Sequence, residues 1–387
     1  MDGLQNCGCH AGAHIPDSIP YVDNQHVLAL IEKRPEHRAE VKAALISMYN
    51  IFEYDFSTDP LVFLRQLRPA IVLLSDSSGW GEGFEILRRM RRDPQLHATP
   101  VVMFLSTDEP WREVSARESG AQGWLVRPYR RSALIRTISN QLNAQVEESW
   151  ESLPILQARS LKGTVEIFNS LSDVIEKGEP IVYTDVRDAC SPLVEAVNSD
   201  DYKGILNGVK HHDNYTYAHS MRVAIFLSLF GRTIGLTTEE QRTLAIGGLL
   251  HDVGKMYIPH LVLNKPGRLS DDEFALMKGH VDASIDILQA GGAIPQAIIT
   301  IAAQHHEKLD GSGYPQGLKG TQLNRLARMA SIVDIFGALT DRRVYKPSMS
   351  PELALSIMAD EMSGQLDMGL LSTFRQMLLD ATVGDVL

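Results

Sequence analysis

The sequence predicts two folds in one chain: a doubly wound α/β domain followed by an all-α helical bundle. Three observations predict this. Apolar runs of strand length alternate with helical stretches up to about residue 144. From about residue 205 onward the pattern is almost wholly helical. The length, 387 residues, suggests two or three domains at about 100–200 residues each.

Residues 1–20 read as a disordered tail, although Cys7, Cys9, His10 and His14 lie there. Their spacing fits no standard zinc pattern. Residues 21–144 carry the α/β signals. HVLALI is an apolar run of strand length, followed by a helical stretch through Ala39 to Tyr49; AIVLLS (Ala70 to Ser75) and PVVMFLS (Pro100 to Ser106) read as buried parallel strands, and GWLV precedes Arg127-Pro128 and a final helix. Residues 145–204 are expected to be a helical linker and the first helices of the next domain. There Val165, Phe168, Leu171, Ser172 and Ile175 trace one face, suited to an arm, a dimer contact or a first core layer.

Residues 205–387 form the predicted bundle. Thr237 with Glu240 and Ser270 with Glu273 read as capping boxes, and Ser350-Pro351 opens a further helix. Ile246, Leu249, Leu250 and Val253 recur at helical spacing, as do Phe274, Met277, Val281 and Ile285.

Composition narrows the function. With 37 basic and 48 acidic residues the net charge is −11, which argues against gripping long nucleic acid through bulk electrostatics. Apolar runs such as Val223 to Phe230 fall short of the ~18–20 residues a membrane helix needs, so no membrane span is expected. Three cysteines make no disulfide framework and suit a reducing cytoplasm.

Eight of the 13 histidines lie after residue 205, several beside an acid or a second histidine. In order, the candidates are His219, His251, Asp252, His280, His305, His306 and Asp334. The gaps are 32 residues from His219 to His251, 28 from Asp252 to His280, 25 from His280 to His305 and 28 from His306 to Asp334. Each gap suits one helix and its connection, so each group can project from its own helix into one interior. Five imidazoles and two carboxylates without a thiolate favour iron, manganese or zinc over calcium, and two ions over one. Asp252 is placed to bridge them. Lys255, three residues on, is expected on the same helix face, where it can meet a phosphate. Taken singly each piece is ordinary, since a lone buried histidine is commonly a hydrogen-bonded core residue. The joint spacing carries the reading.

LLHDVGKMYIP (Leu249 to Pro259) resembles the HD signature of metal-dependent phosphohydrolases, and HHEKLDGSGYPQGLKG (His305 to Gly320) resembles the GYP signature. With YTYAHS, KPGRLSDDEF and ARMASIVDIFGALTDRRVYK, the region from about 155 to 385 resembles the HD-GYP family. The resemblance implies an HD-type bundle hydrolysing cyclic di-GMP to pGpG or GMP through two or three divalent transition-metal ions, iron first and manganese second. It implies His219, His251, Asp252, His280, His305, His306 and Asp334 as metal residues and Lys255 as the phosphate-side cation. Gly313, Tyr314, Arg343 and Lys346 are implied as substrate-side positions. It also implies docking of GGDEF-type diguanylate cyclases on the Gly-rich loop. Tyr215 stands where some members carry a Glu for a third metal, so two ions are expected. Val344 stands where the family often has Pro. The alternatives are a weakly active or inactive signalling adaptor, and a hydrolase of another cyclic dinucleotide such as cyclic GMP-AMP.

The α/β half resembles a response-regulator receiver of the flavodoxin-like class, with GFE (Gly83 to Glu85) spaced after the phosphoacceptor loop. Ser75 stands where the family needs Asp, Glu32-Lys33 replaces the acidic pair, Arg127 replaces the lysine, and Leu105-Ser106 replaces Thr-Ala. A serine hydroxyl forms no acyl phosphate, and the missing carboxylates remove the magnesium site. A pseudo-receiver serving protein contact, inhibition or a homodimer is expected. A shifted site on Asp76 is the minor alternative.

Overall fold

The computed structural model describes residues 27–45, 49–54, 59–76, 82–210, 212–263, 265, 267–341 and 349–381. The tail with Cys7, Cys9, His10 and His14, and the positions Arg343, Val344 and Lys346, lie outside the described residues. The chain divides into two compact units, Met1–Leu142 and Asn143–Leu387.

The first unit alternates β1 (Val27–Ile31), α1 (Pro35–Leu45), β2 (Asn50–Tyr54), α2 (Pro60–Leu67), β3 (Ile71–Ser75), α3 (Glu82–Arg92), β4 (Val101–Leu105), α4 (Pro110–Glu118) and β5 (Gly123–Val126). Helix α5 (Arg131–Ser149) follows. All pairings are parallel, and the order is β2-β1-β3-β4-β5, the flavodoxin-like arrangement. β1, β3 and β4 are buried at every residue because helices cover both faces, which is why their sequences are apolar throughout. Ala29, Ile31, Val72, Leu74 and Met103 pack with Phe84 and Leu87 on one side. Leu28, Leu30, Leu73, Val102 and Phe104 pack with Leu45 and Leu134 on the other.

β2 was not anticipated. The expected helix reaches Leu45 among the described residues, Tyr49 is not helical, and NIFEY forms a short edge strand with four of its five residues only partly buried. Asn50 and Glu53 interrupt its apolar pattern, so the strand signal is weak. GFE lies in the first turn of α3.

The second unit holds α6 (Ile155–Lys177), α7 (Tyr183–Asn198), α8 (Lys203–Lys210), α9 (Tyr215–Thr233), α10 (Thr238–Leu250), α11 (His260–Leu263), α12 (Asp271–Gln289), α13 (Gln296–Gln304), α14 (Arg325–Thr340), α15 (Pro351–Glu361) and α16 (Met368–Asp380). Val165, Phe168 and Leu171 of α6 and Val186 and Cys190 of α7 belong to one apolar core with Phe226, Phe336 and Phe374. α6 and α7 are therefore core layers of this unit. α9 is apolar on nearly all sides and is the buried central helix. Both expected capping boxes form, at Thr237 and Ser270, and Ser350 caps α15 ahead of Pro351. One expected core position differs: Phe274 is 46% exposed on α12. Among the described residues no helix is long and apolar enough to cross a membrane.

Candidate metal centre and the receiver pocket

Five helices and one 3-10 turn deliver the predicted donors to one interior. His219 projects from the middle of α9 and Asp334 from α14. His280 comes from α12. His251 caps the C-terminus of α10, and His305 holds the same place after α13, with His306 next to it. Asp252 opens a 3-10 turn, Val253–Tyr257. The His-Asp pair thus sits where a helix stops, and Lys255 does not share a helix face with Asp252 as expected. Their contact persists because three residues make a full 3-10 turn, which brings the Lys255 ammonium directly onto Asp252 Oδ2. Gly254 is required there: a Cβ would come within 2.1 Å of the His280 carbonyl oxygen. Its N–H donates to Ser284 Oγ at 2.8 Å, fixing the turn against α12.

The backbone sets the imidazole orientation. Nδ1 of His251, His280 and His305 donates to the carbonyls of Gly248, Met277 and Ala302, three residues back, at 2.8, 2.6 and 2.8 Å. Each ring therefore turns Nε2 toward the centre. These three Nε2 atoms and Asp252 Oδ1 are buried without a hydrogen-bond partner. An unsatisfied buried polar atom costs about 1–3 kcal/mol, so four together need a compensating ligand. A divalent cation is such a ligand, and the nitrogen and oxygen donors fit it.

The donors fall into two groups. Asp252, His280, His305 and His306 form one, and His219, His251, Asp252 and Asp334 form the other. Within each group the donor atoms lie within 4.8 Å of one another, and Asp252 belongs to both. Asp252 Oδ1 is 3.2 Å from His280 Nε2, and Oδ2 is 3.2 Å from His251 Nε2. Burial alone would raise the Asp252 carboxyl, but His251 and Lys255 outweigh it and hold it well below the usual range. Burial would lower His251, yet Asp252 and Asp334 push it up to about 10. Burial and neighbouring His305 drive His306 well down, leaving a neutral ring. The interior is a negative field in search of positive charge.

Two residues that sequence reasoning missed complete the site. Asp341 accepts from Nδ1 of His219 at 2.7 Å, 122 residues away in sequence. Glu307 is buried and accepts from the amides of Gln316, Gly317 and Leu318 at 2.6, 3.1 and 2.9 Å. It folds the Gly-rich segment back beside the donors. The adjacent His305-His306 pair was the only signal that could have drawn attention to Glu307. Gly313 allows this fold, since a Cβ would lie 2.5 Å from the Glu307 Cα. Tyr314 then stacks on His306, with centroids 4.7 Å apart.

In the first unit, the phosphoacceptor position is closed by side chains. Arg127 donates to Glu32 Oε2 at 2.6 Å and to Ser75 Oγ at 3.0 Å. His37 Nδ1 meets the same Glu32 oxygen at 2.6 Å. Asp76 faces elsewhere: its Oδ2 accepts from the Ser106 amide at 2.9 Å and from Arg112 at 2.7 Å.

Fold and site together define a two-unit protein, a receiver-like α/β unit and an HD-type helical bundle with clustered metal-ligand side chains. The HD domain family matches residues 207–370. The cyclic di-GMP phosphodiesterase response regulator RpfG of Xanthomonas campestris is 32% identical over 78% of this chain and 74% of its own length. The chain belongs to the same family, the HD-GYP response regulators. A cyclic di-GMP phosphodiesterase of Pseudomonas aeruginosa is 37% identical, covering 41% of this chain and 38% of that protein. The 3'3'-cGAMP-specific phosphodiesterase 1 of Vibrio cholerae is 39% identical, covering 42% and 37%. The chain thus spans well under half the length of these last two relatives.

Proposed function

We propose that the chain hydrolyses cyclic di-GMP at a two-cation centre. The observation that carries this is Asp252, shared by two buried donor groups. His219, His251 and Asp334 would hold one ion, His280, His305 and His306 the other, and Asp252 both. Iron is the first candidate and manganese the second, from the nitrogen-rich, thiolate-free donor set. Bound there, the ions would neutralise the phosphodiester and make water nucleophilic near neutral pH.

The chain's own residues do the rest. The Nδ1 bonds to backbone carbonyls hold the imidazoles in register. The Lys255 ammonium, now on Asp252, lies where it can meet charge building on a phosphoryl oxygen. Water adds at phosphorus, the bond to the 3′-oxygen breaks, and that oxygen leaves with a proton. One such cut gives linear pGpG, and a second gives GMP. Arg343 and Lys346 are proposed to meet the dinucleotide. Gly313 shapes the segment that presents Tyr314 to it.

The α/β unit acts in this reading as a contact module rather than a phosphorylation switch, supported by the Arg127–Glu32–Ser75 closure. The Gly311–Gly320 segment is proposed to dock diguanylate cyclase domains. Chromatography of cyclic di-GMP incubated with the Mn(II)- or Fe(II)-loaded chain tests the main reading. Appearance of pGpG or GMP supports it, and its absence with either metal rejects it. The 39% identity to a cGAMP-specific enzyme makes cyclic GMP-AMP the substrate to run in parallel.

A further inference from the structure

We propose that Phe274 and Lys278 on α12, with Tyr314, form a stacking platform for one guanine of the substrate. This rests on reading the centre as a cyclic dinucleotide phosphodiesterase.

The helical pattern assigns Phe274 to the core, yet 46% of it is exposed. It does not stand alone. Its ring meets Tyr314 edge-on, with centroids 6.2 Å apart and planes at 82°. Tyr314 stacks in turn on His306, 4.7 Å away at 27°. Three rings therefore run from a donor of the metal centre to the surface. The Lys278 ammonium lies 5.2 Å over the Phe274 ring, where it is attracted by the π face.

A cyclic dinucleotide asks for such a path. Its phosphates must reach the donors, while its flat bases need apolar faces nearby. Aromatic side chains stack on bases and contribute substantially to single-stranded nucleotide binding. Guanine also presents N7 and O6 as acceptors along one edge, which a lysine ammonium can meet. An exposed phenylalanine contributes little to the core, so this one is available for binding. Leu276, 54% exposed on the same helix, has no ring contact among those described and serves as a control.

The test uses the full-length metal-loaded chain and two substrates: cyclic di-GMP and the base-free diester bis(p-nitrophenyl) phosphate. Phe274→Ala should raise KM for cyclic di-GMP about tenfold. It should leave kcat for cyclic di-GMP within about twofold. Phe274→Trp should restore KM, Lys278→Ala should raise it to a smaller extent, and Leu276→Ala should match wild type. Equal KM values for wild type and Phe274→Ala, with both substrates cleaved, would overturn the platform. A wild-type chain that cleaves only the base-free diester would instead overturn the substrate reading on which the platform rests.

Discussion

Asp341 joins His219 to Arg222: one carboxylate oxygen lies 2.7 Å from His219 Nδ1, and the other is held by the Arg222 guanidinium. The remaining imidazole nitrogen of His219 faces Asp334 Oδ1 at 2.9 Å. Asp341 thus fixes the ring that reaches the centre, as outer-shell carboxylates do for metal-binding histidines. Asp341→Asn cannot serve both partners, since its NH2 must face either the arginine donors or the ring N–H. Metal affinity is expected to fall about 10- to 100-fold, read by competition with a chromophoric chelator. Unchanged affinity would remove Asp341 from the site.

The proposed role of Lys255 is in chemistry more than in metal retention. Lys255→Ala should lower kcat for cyclic di-GMP about 100-fold while the metal content per chain stays at the wild-type value. Steady-state kinetics paired with elemental analysis checks this. A parallel loss of metal and activity would make the lysine a structural partner of Asp252 instead.

Glu307 is the anchor of the Gly-rich segment. Removing its carboxylate leaves three amides without their acceptor, and a hydrogen bond to a charged group contributes about 1.5–3 kcal/mol. Glu307→Ala should therefore speed hydrogen exchange at Gln316, Gly317 and Leu318 selectively, with the α9 core amides still protected. Uniform exchange across the unit would contradict a local anchoring role.

The receiver pocket gives a pH signature. Burial alone would raise Glu32, but the His37 hydrogen bond and the Arg34 amide and charge outweigh it and hold the group below its ordinary 4.5. A depressed carboxylate stabilises the fold above its unfolded pKa, and that contribution is lost as pH falls through the lower folded value. Melting of the first unit should therefore weaken below about pH 4.5. Glu32→Gln, less stable at pH 7, should show a shallower decline. Calorimetric curves that fall in parallel for both proteins would contradict this role.

Much of this was legible in the sequence, for physical reasons. Strands covered on both faces are continuous apolar runs, so β1, β3 and β4 stood out, while edge strand β2 carries Asn50 and Glu53 and did not. The seven clustered imidazoles and carboxylates are chemically rare residues repeated at helix-length spacing, so their convergence could be expected before their geometry was known. Asp341 and Glu307 could not be, because each acts on a partner that only folding brings near. Phe274 misled for the opposite reason: helical periodicity reads an aromatic as core whether it faces the interior or a binding surface. Lys255 was placed beside Asp252 correctly but on the wrong kind of turn, since a stop after Leu250 leaves no mark in LLHDVGK.

The central claim is that Asp252 lies between two cation sites, and counting the ions tests it most directly. The full-length chain, loaded with Mn(II), passed through gel filtration and analysed by mass spectrometry for metal against protein, should hold two ions per chain, and His251→Ala with Asp252→Ala should hold none tightly. One ion per wild-type chain, or retention of both by the double variant, would contradict the account.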